Sequence, residues 1–146
     1  MPTEDLPAHQ PHGLDEGPWG VPDLRVAVVI PMFNEESVVG SVVANVRRQF
    51  PYVVCVDDGS GDDSPAEAAA AGAVVVRHAI NLGQGAALKT GIEMALLRAE
   101  TDYVVTFDAD GQHRVVDAVR LVDEARVNKL DVALGSRFLS DEHDIP

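Results

Sequence analysis

Apolar positions along the chain switch repeatedly between short continuous runs and stripes at helical spacing. The first run, RVAVVIP (25–31), is β-branched, of strand length, and closed by Pro31. After FNEES, Val38, Val39, Val42, Val43 and Val46 recur on one helical face, with Ser41, Asn45 and Arg48 off it. YVVCVDD (52–58) predicts a second strand. Ser64-Pro65-Ala66-Glu67 then reads as a capping box with Pro at the first helical position, and the alanines after it run to a stop at Gly72. AVVVRH (73–78) predicts a third strand. From about Gln84 to Ala99, the residues Leu88, Ile92, Ala95, Leu96 and Ala99 form a third helical face. YVVTFD (103–108) predicts the fourth strand, and Val115, Ala118, Val119, Val122 and Ala125 a fourth helical stripe, with Asp117, Arg120 and Glu124 outside it. DVALGSR (131–137) predicts a fifth strand.

The strand-length runs show little polar alternation, as strands buried on both faces do. Strands alternating with helices predict an α/β domain, a sandwich around a mostly parallel central sheet, over residues 25–146. The first 24 residues carry Pro2, Pro7, Pro11, Pro18 and Pro22 among acids and glycines, the composition of a flexible tail. His9 and His12 in that tail read as solvated. Parallel sheets bind ligands beyond the carboxyl ends of their strands, so the residues after each strand are the ones to search for chemistry.

Composition narrows the classes. The 146 residues suit one domain, and 46% apolar content is enough for a core. The net charge of -13 and the absence of a basic stripe argue against nucleic-acid binding. They also mean that a polyanionic ligand needs local donors or a metal ion. The single cysteine, Cys55, lies in an apolar run and excludes an internal disulfide framework. No run approaches the roughly 18 apolar residues of a membrane span, and the start resembles no signal peptide, so the expected compartment is the cytoplasm.

The strand ends are polar. Asp108 and Asp110, at i and i+2, can turn toward one point. Like charges that close are costly unless a proton or cation compensates, and hard oxygen ligands suit Mg²⁺ or Mn²⁺. A solvated acidic turn explains the same residues, since Asp-Gly favours turns. Asp57-Asp58-Gly59-Ser60 is a turn, or offers carboxylates to a base or ribose. Asn34 reads as a helix cap, with Glu35 and Glu36 in the first turn. Gly83-Gln84-Gly85 is a helix entry, or brings backbone amides to phosphate. Lys89 reads as a surface lysine. Arg137 meets phosphate or is a solvated charge.

VVIPMFNEE, VDDGS, NLGQGAALKTG, FDADGQH and GSRF, in this order, resemble a family 2 glycosyltransferase of GT-A fold. The branch most resembled is that of polyprenyl-phosphate (dolichyl-phosphate mannose synthase-like) sugar transferases, over about residues 25–138. The resemblance implies a three-layer, Rossmann-like domain binding a nucleotide-diphosphate-sugar donor. By matching position it places Pro31, Phe33 and Glu35 in the nucleotide pocket, Asp57 and Asp58 on the base or ribose, and Gly83 and Gly85 near phosphate. It makes Asp108 and Asp110 the D-x-D pair carrying Mg²⁺ or Mn²⁺, with Gln112 as a third metal ligand. Asp110 and Arg137 become the catalytic candidates. His113 reads as an uninvolved turn residue, with approach to the acceptor side as the alternative. The acceptor it implies is a polyprenyl phosphate, with the cytoplasmic face of a membrane as the place of work. Two departures accompany it. Position 84 is Gln where many relatives carry Lys. Family members also continue beyond the length of this chain, so the acceptor-binding part and any membrane attachment are expected to be missing here.

Other classes fit less well. A phosphoacceptor receiver would carry its acidic pair after the first strand, where IPMFNEE stands. A Rossmann dehydrogenase would carry G-x-G-x-x-G there. An EF-hand loop needs Gly six positions into the motif, but Gly111 is the fourth. A sugar nucleotidyltransferase would carry a Gly-rich loop after that strand. A non-catalytic nucleotide-sugar-binding module remains the principal alternative.

Overall fold

The computed structural model describes residues 25–98 and 100–135. The tail (1–24), Ala99 and the segment holding Arg137 lie outside the described residues. The chain runs β1 (Val26–Met32), α1 (Val39–Arg47), β2 (Tyr52–Asp57), α2 (Ser64–Ala70), β3 (Val74–Arg77), α3 (Gln84–Leu96), β4 (Tyr103–Thr106) and α4 (Val115–Val127). The strands form one sheet in the order β3-β2-β1-β4, and every pairing is parallel. Central β1 is buried along its whole length, which is why its sequence is an unbroken apolar run.

The two sheet faces follow from the period of two along each strand. Val26, Val28 and Ile30 of β1 and Val53 and Cys55 of β2 point toward α1, α2 and α4, in one cluster with Val39, Val43, Ala68, Ala118 and Val122. Ala27, Val29, Val54 and Val56 point the other way, toward α3. The result is the three-layer α/β arrangement that the alternation of elements predicts.

Three local expectations change. The capping box does not form. Asp63 precedes α2, and no side chain caps the helix, because the Ser64 hydroxyl donates to Asp62 and accepts the Glu35 N–H at 2.7 Å. The third helix buries Ala87, Gly91 and Ala95 rather than its large residues, and Leu96 is exposed. A Cβ on Gly91 would stand 2.2 Å from Val29 Cγ1 and 3.0 Å from Val56 Cγ2, so α3 lies too close to the sheet for anything larger at its contact line. Leu88 and Ile92 pack on the flanks of that line. Residues 131–135 form no strand, and Val132 and Leu134 are exposed. An apolar run favours a strand only where a neighbour supplies the ladder. Gly72 does end α2, with φ +99°. Among the described residues no helix is long and apolar enough to cross a membrane.

Candidate functional site

The C-terminal ends of β1, β2 and β4 and the entry to α3 enclose an open cavity of about 440 Å³. Pro31, Met32, Phe33 and Glu35 come from the end of β1 and the loop after it. Asp58 follows β2. Asn81, Gly83, Gln84 and Ala87 come from the approach to α3 and its first turn, and Asp108, Ala109 and Asp110 follow β4. Strand parity accounts for Pro31, Asp58 and Asp108, whereas Met32 and Ala109 also belong to the cluster on the opposite face. Pro31 and Asp58 continue the α3-side alternation of Val29 and of Val54 and Val56, and Asp108 continues that of Val104. The cavity therefore opens on the α3 side of the sheet.

That parity separates the two adjacent acids at the end of β2. Asp57 is fully buried on the opposite side, outside the cavity lining, where its Oδ1 accepts the Ser60 N–H and Arg77 Nε stands 2.9 Å from its Oδ2. The latter contact is an ion pair without the alignment of a hydrogen bond. Asp58 reaches the cavity but is largely engaged. Its Oδ1 accepts the Leu82 N–H at 2.9 Å and its Oδ2 the Gly83 N–H at 2.8 Å, while His78 Nδ1 lies 2.8 Å from Oδ1. Burial pushes the Asp58 carboxyl up, but the donations from Leu82, His78 and Gly83 together hold it below the usual aspartate value.

The loops after β1 and β2 are laced together. The Asn34 N–H donates to Ser60 Oγ, and Asn34 Oδ1 accepts the Gly61 N–H. The Glu36 N–H donates to Asp62, and Glu36 Oε2 accepts the Asp63 N–H. Asn34, expected as a helix cap, instead adopts φ +53° and bridges the two loops. This lacing fixes the stretch that presents Phe33 and Glu35. Gly59, at φ +81°, lets the β2 loop approach the β3 loop: a Cβ there would stand 2.8 Å from Asn81 N and Ile80 C.

Asp108 and Asp110 both line the cavity, and each has partners. His113 Nε2 is 2.7 Å from Asp108 Oδ2, Gln84 Nε2 donates to Asp108 Oδ1 at 3.4 Å, and Asp110 Oδ1 accepts the Gln112 N–H at 2.9 Å. His113, expected to be uninvolved, is drawn in by the tight turn that returns residue 113 over residue 108, and its ring packs 5.6 Å from that of Phe107. Gln112 and Gly85 are exposed and do not line the cavity. Among the described residues no three His, Cys, Asp or Glu side chains gather closely enough to hold a metal on their own. Two carboxylates lining one open cavity fit an ion that takes its other ligands from a diphosphate and water, as Mg²⁺ and Mn²⁺ do. The residues that sequence reasoning missed are Met32, Ala87 and Ala109, which are apolar and carry no chemical signal, and Asn81, whose side chain accepts the Gly83 N–H. Ala87 was findable only as the residue one helical turn beyond Gly83.

The family described as Glycosyl transferase family 2 matches residues 27–145. The chain belongs to that family. A relative from Methanocaldococcus jannaschii named only as an uncharacterized protein is 41% identical over 79% of this chain and 47% of its own length. The polyprenol monophosphomannose synthase of Mycolicibacterium smegmatis is 34% identical over 92% of this chain and 53% of its own. This family 2 chain thus spans about half the length of the curated relatives it matches. The GT-A fold is shared with the glucosyl-3-phosphoglycerate synthase of Mycobacterium tuberculosis, solved with Mn²⁺, UDP-glucose and phosphoglyceric acid. That likeness has a TM-score of 0.58 and 28% identity over 68% of this chain and 38% of the other.

Proposed function

We propose that the cavity is the donor site of a metal-dependent glycosyltransferase that moves a sugar from a nucleotide-diphosphate-sugar to a polyprenyl phosphate. The observation that carries this reading is the meeting, in one cavity at the carboxyl edge of a parallel sheet, of the Asp108–Asp110 pair with Phe33, Glu35, Asp58 and the N-terminal turn of α3. Phe33, 46% exposed, offers its ring to a nucleotide base. Glu35, and what remains of the accepting capacity of Asp58, suit ribose hydroxyls or base amines. The amide of Gln84, in the first turn of α3, has no partner within the helix and suits phosphate oxygens.

Asp108 and Asp110, with Gln112 as a third candidate, would hold Mg²⁺ or Mn²⁺ beside the diphosphate. When bound, the ion supplies Lewis-acid stabilisation of charge on the departing nucleoside diphosphate. The acceptor phosphate oxygen attacks the anomeric carbon, the bond from that carbon to the diphosphate breaks, and the nucleoside diphosphate leaves. A phosphate acceptor is already nucleophilic, so the reaction needs no protein base. Arg137, outside the described residues, is the candidate for facing the phosphates. Relatives named as polyprenyl-phosphate sugar transferases support the choice of acceptor.

Titration calorimetry of the chain with GDP- and UDP-sugars in the presence of Mn²⁺ tests the donor site. One sugar nucleotide should bind, and Asp108→Asn and Asp110→Asn should each weaken it by about tenfold or more, that is, by about 1.4 kcal/mol. Both positions are solvent-facing, so thermal unfolding should hardly change. Failure of both nucleotide classes to bind would sink the reading. Donor binding without sugar transfer to a polyprenyl phosphate would leave a binding module.

A further inference from the structure

We propose that His78 is a positioning residue of the donor pocket, acting through Asp58 on the backbone of residues 82 and 83. The inference rests on the donor-site reading and deepens it. His78 directly follows β3, its side chain is 10% exposed, and it stands behind the cavity wall rather than in it. The ring joins two elements. Nδ1 lies 2.8 Å from Asp58 Oδ1, and Nε2 lies 2.9 Å from Thr90 Oγ1, inside α3.

The proton positions follow from the partners. An ionised carboxylate only accepts, so Nδ1 carries the proton. In the neutral ring Nε2 then accepts from the Thr90 hydroxyl. Anchored at Thr90, the ring fixes the rotation of the Asp58 carboxylate about its last torsion. That rotation decides whether Oδ1 and Oδ2 face the Leu82 and Gly83 amides, which they meet at 2.9 and 2.8 Å. Those amides hang the 81–83 stretch on Asp58, and this stretch delivers Gly83 and Gln84 to the cavity. The side chains of the neighbouring pair one residue back, Arg77 and Asp57, lie on the other sheet face.

His78→Asn and His78→Gln test this against simple filling of a buried site. The Asn amide nitrogen can occupy roughly the place of Nδ1 and keep the Asp58 contact. The Gln nitrogen reaches roughly the place of Nε2 and keeps only the Thr90 contact. Amide hydrogen exchange followed by NMR should show Leu82 and Gly83 still protected in H78N. In H78Q their exchange should be about tenfold faster, the loss of about one hydrogen bond. Nucleoside diphosphate affinity, measured with Mn²⁺, should stay within about threefold in H78N and fall about tenfold in H78Q. Equal behaviour of the two variants, or the reverse order, overturns the proposal. Ring nitrogen shifts of the unaltered protein give a check independent of any variant's folding: an unprotonated Nδ1 overturns it as well. If the unaltered chain binds no nucleotide, the donor-site reading falls, while the exchange rates still decide the role of His78.

Discussion

Asp58 answers to three donors at once, and its neighbour Asp57 to an arginine and a serine amide on the far side of the sheet. Adjacent residues of one type therefore do different work, because a strand turns successive side chains to opposite faces. The sequence shows two acids at a strand end. Which one lines the cavity depends on which face carries α3, and that is a property of the assembled sheet. Asp108 likewise looks like a bare metal ligand in the sequence, yet His113 and Gln84 already contact it. Asp58→Asn should turn a donating amide toward one of two backbone donors and cost about 2 kcal/mol in chemical denaturation. It should also flatten the acid limb of the stability profile. The folded Asp58 carboxyl titrates below its usual value, so its contribution is complete at neutral pH. It begins to fade as pH drops past about 3.9 and is lost as pH falls through the folded value. Matching acid slopes for the variant and the parent would contradict the hydrogen bonding described.

Among the elements, all four strands and the stripes of α1 and α4 were legible: β1 and β2 are buried on both sheet faces, which forces continuous β-branched runs, β3 and β4 carry such runs although they are more exposed, and a helix on one face forces a regular stripe. The contact line of α3 was not. Its largest residues suggest the buried face, but the helix seats on Ala87, Gly91 and Ala95. Sequence periodicity reports which positions are apolar, whereas close approach is set by which are small. Gly91→Ala should destabilise the domain by about 1–3 kcal/mol through overpacking against Val29 and Val56, read as a lower denaturant midpoint at unchanged slope. A neutral result would mean that α3 sits further from the sheet. The unformed strand at 131–135 illustrates a second limit: β propensity cannot announce whether a pairing partner is at hand.

Across the whole molecule the charge of -13 works against the ligand that the cavity suits. Without a divalent ion, nucleoside diphosphate affinity should rise severalfold as ionic strength increases from about 0.01 M to about 0.15 M, since salt screens the repulsion. A basic phosphate site would show the opposite slope, and such a slope measured by titration would show that positive groups dominate locally. The GT-A architecture supplies the edge at which four loops meet, and side chains on those loops supply the chemistry.

The order β3-β2-β1-β4 has a consequence for how the molecule comes together. Arg25 and Asp102, which join the start of β1 to the start of β4, are 77 residues apart, about three times the separation that closes β1 on β2. Loop-closure entropy makes the longer closure costlier by about 1 kcal/mol. Asp58 belongs to the half assembled by the short closures, and Asp108 with Asp110 arrives only with the long one. Half of the cavity wall thus rests on short-range closures and the other half on the pairing of β4 with β1.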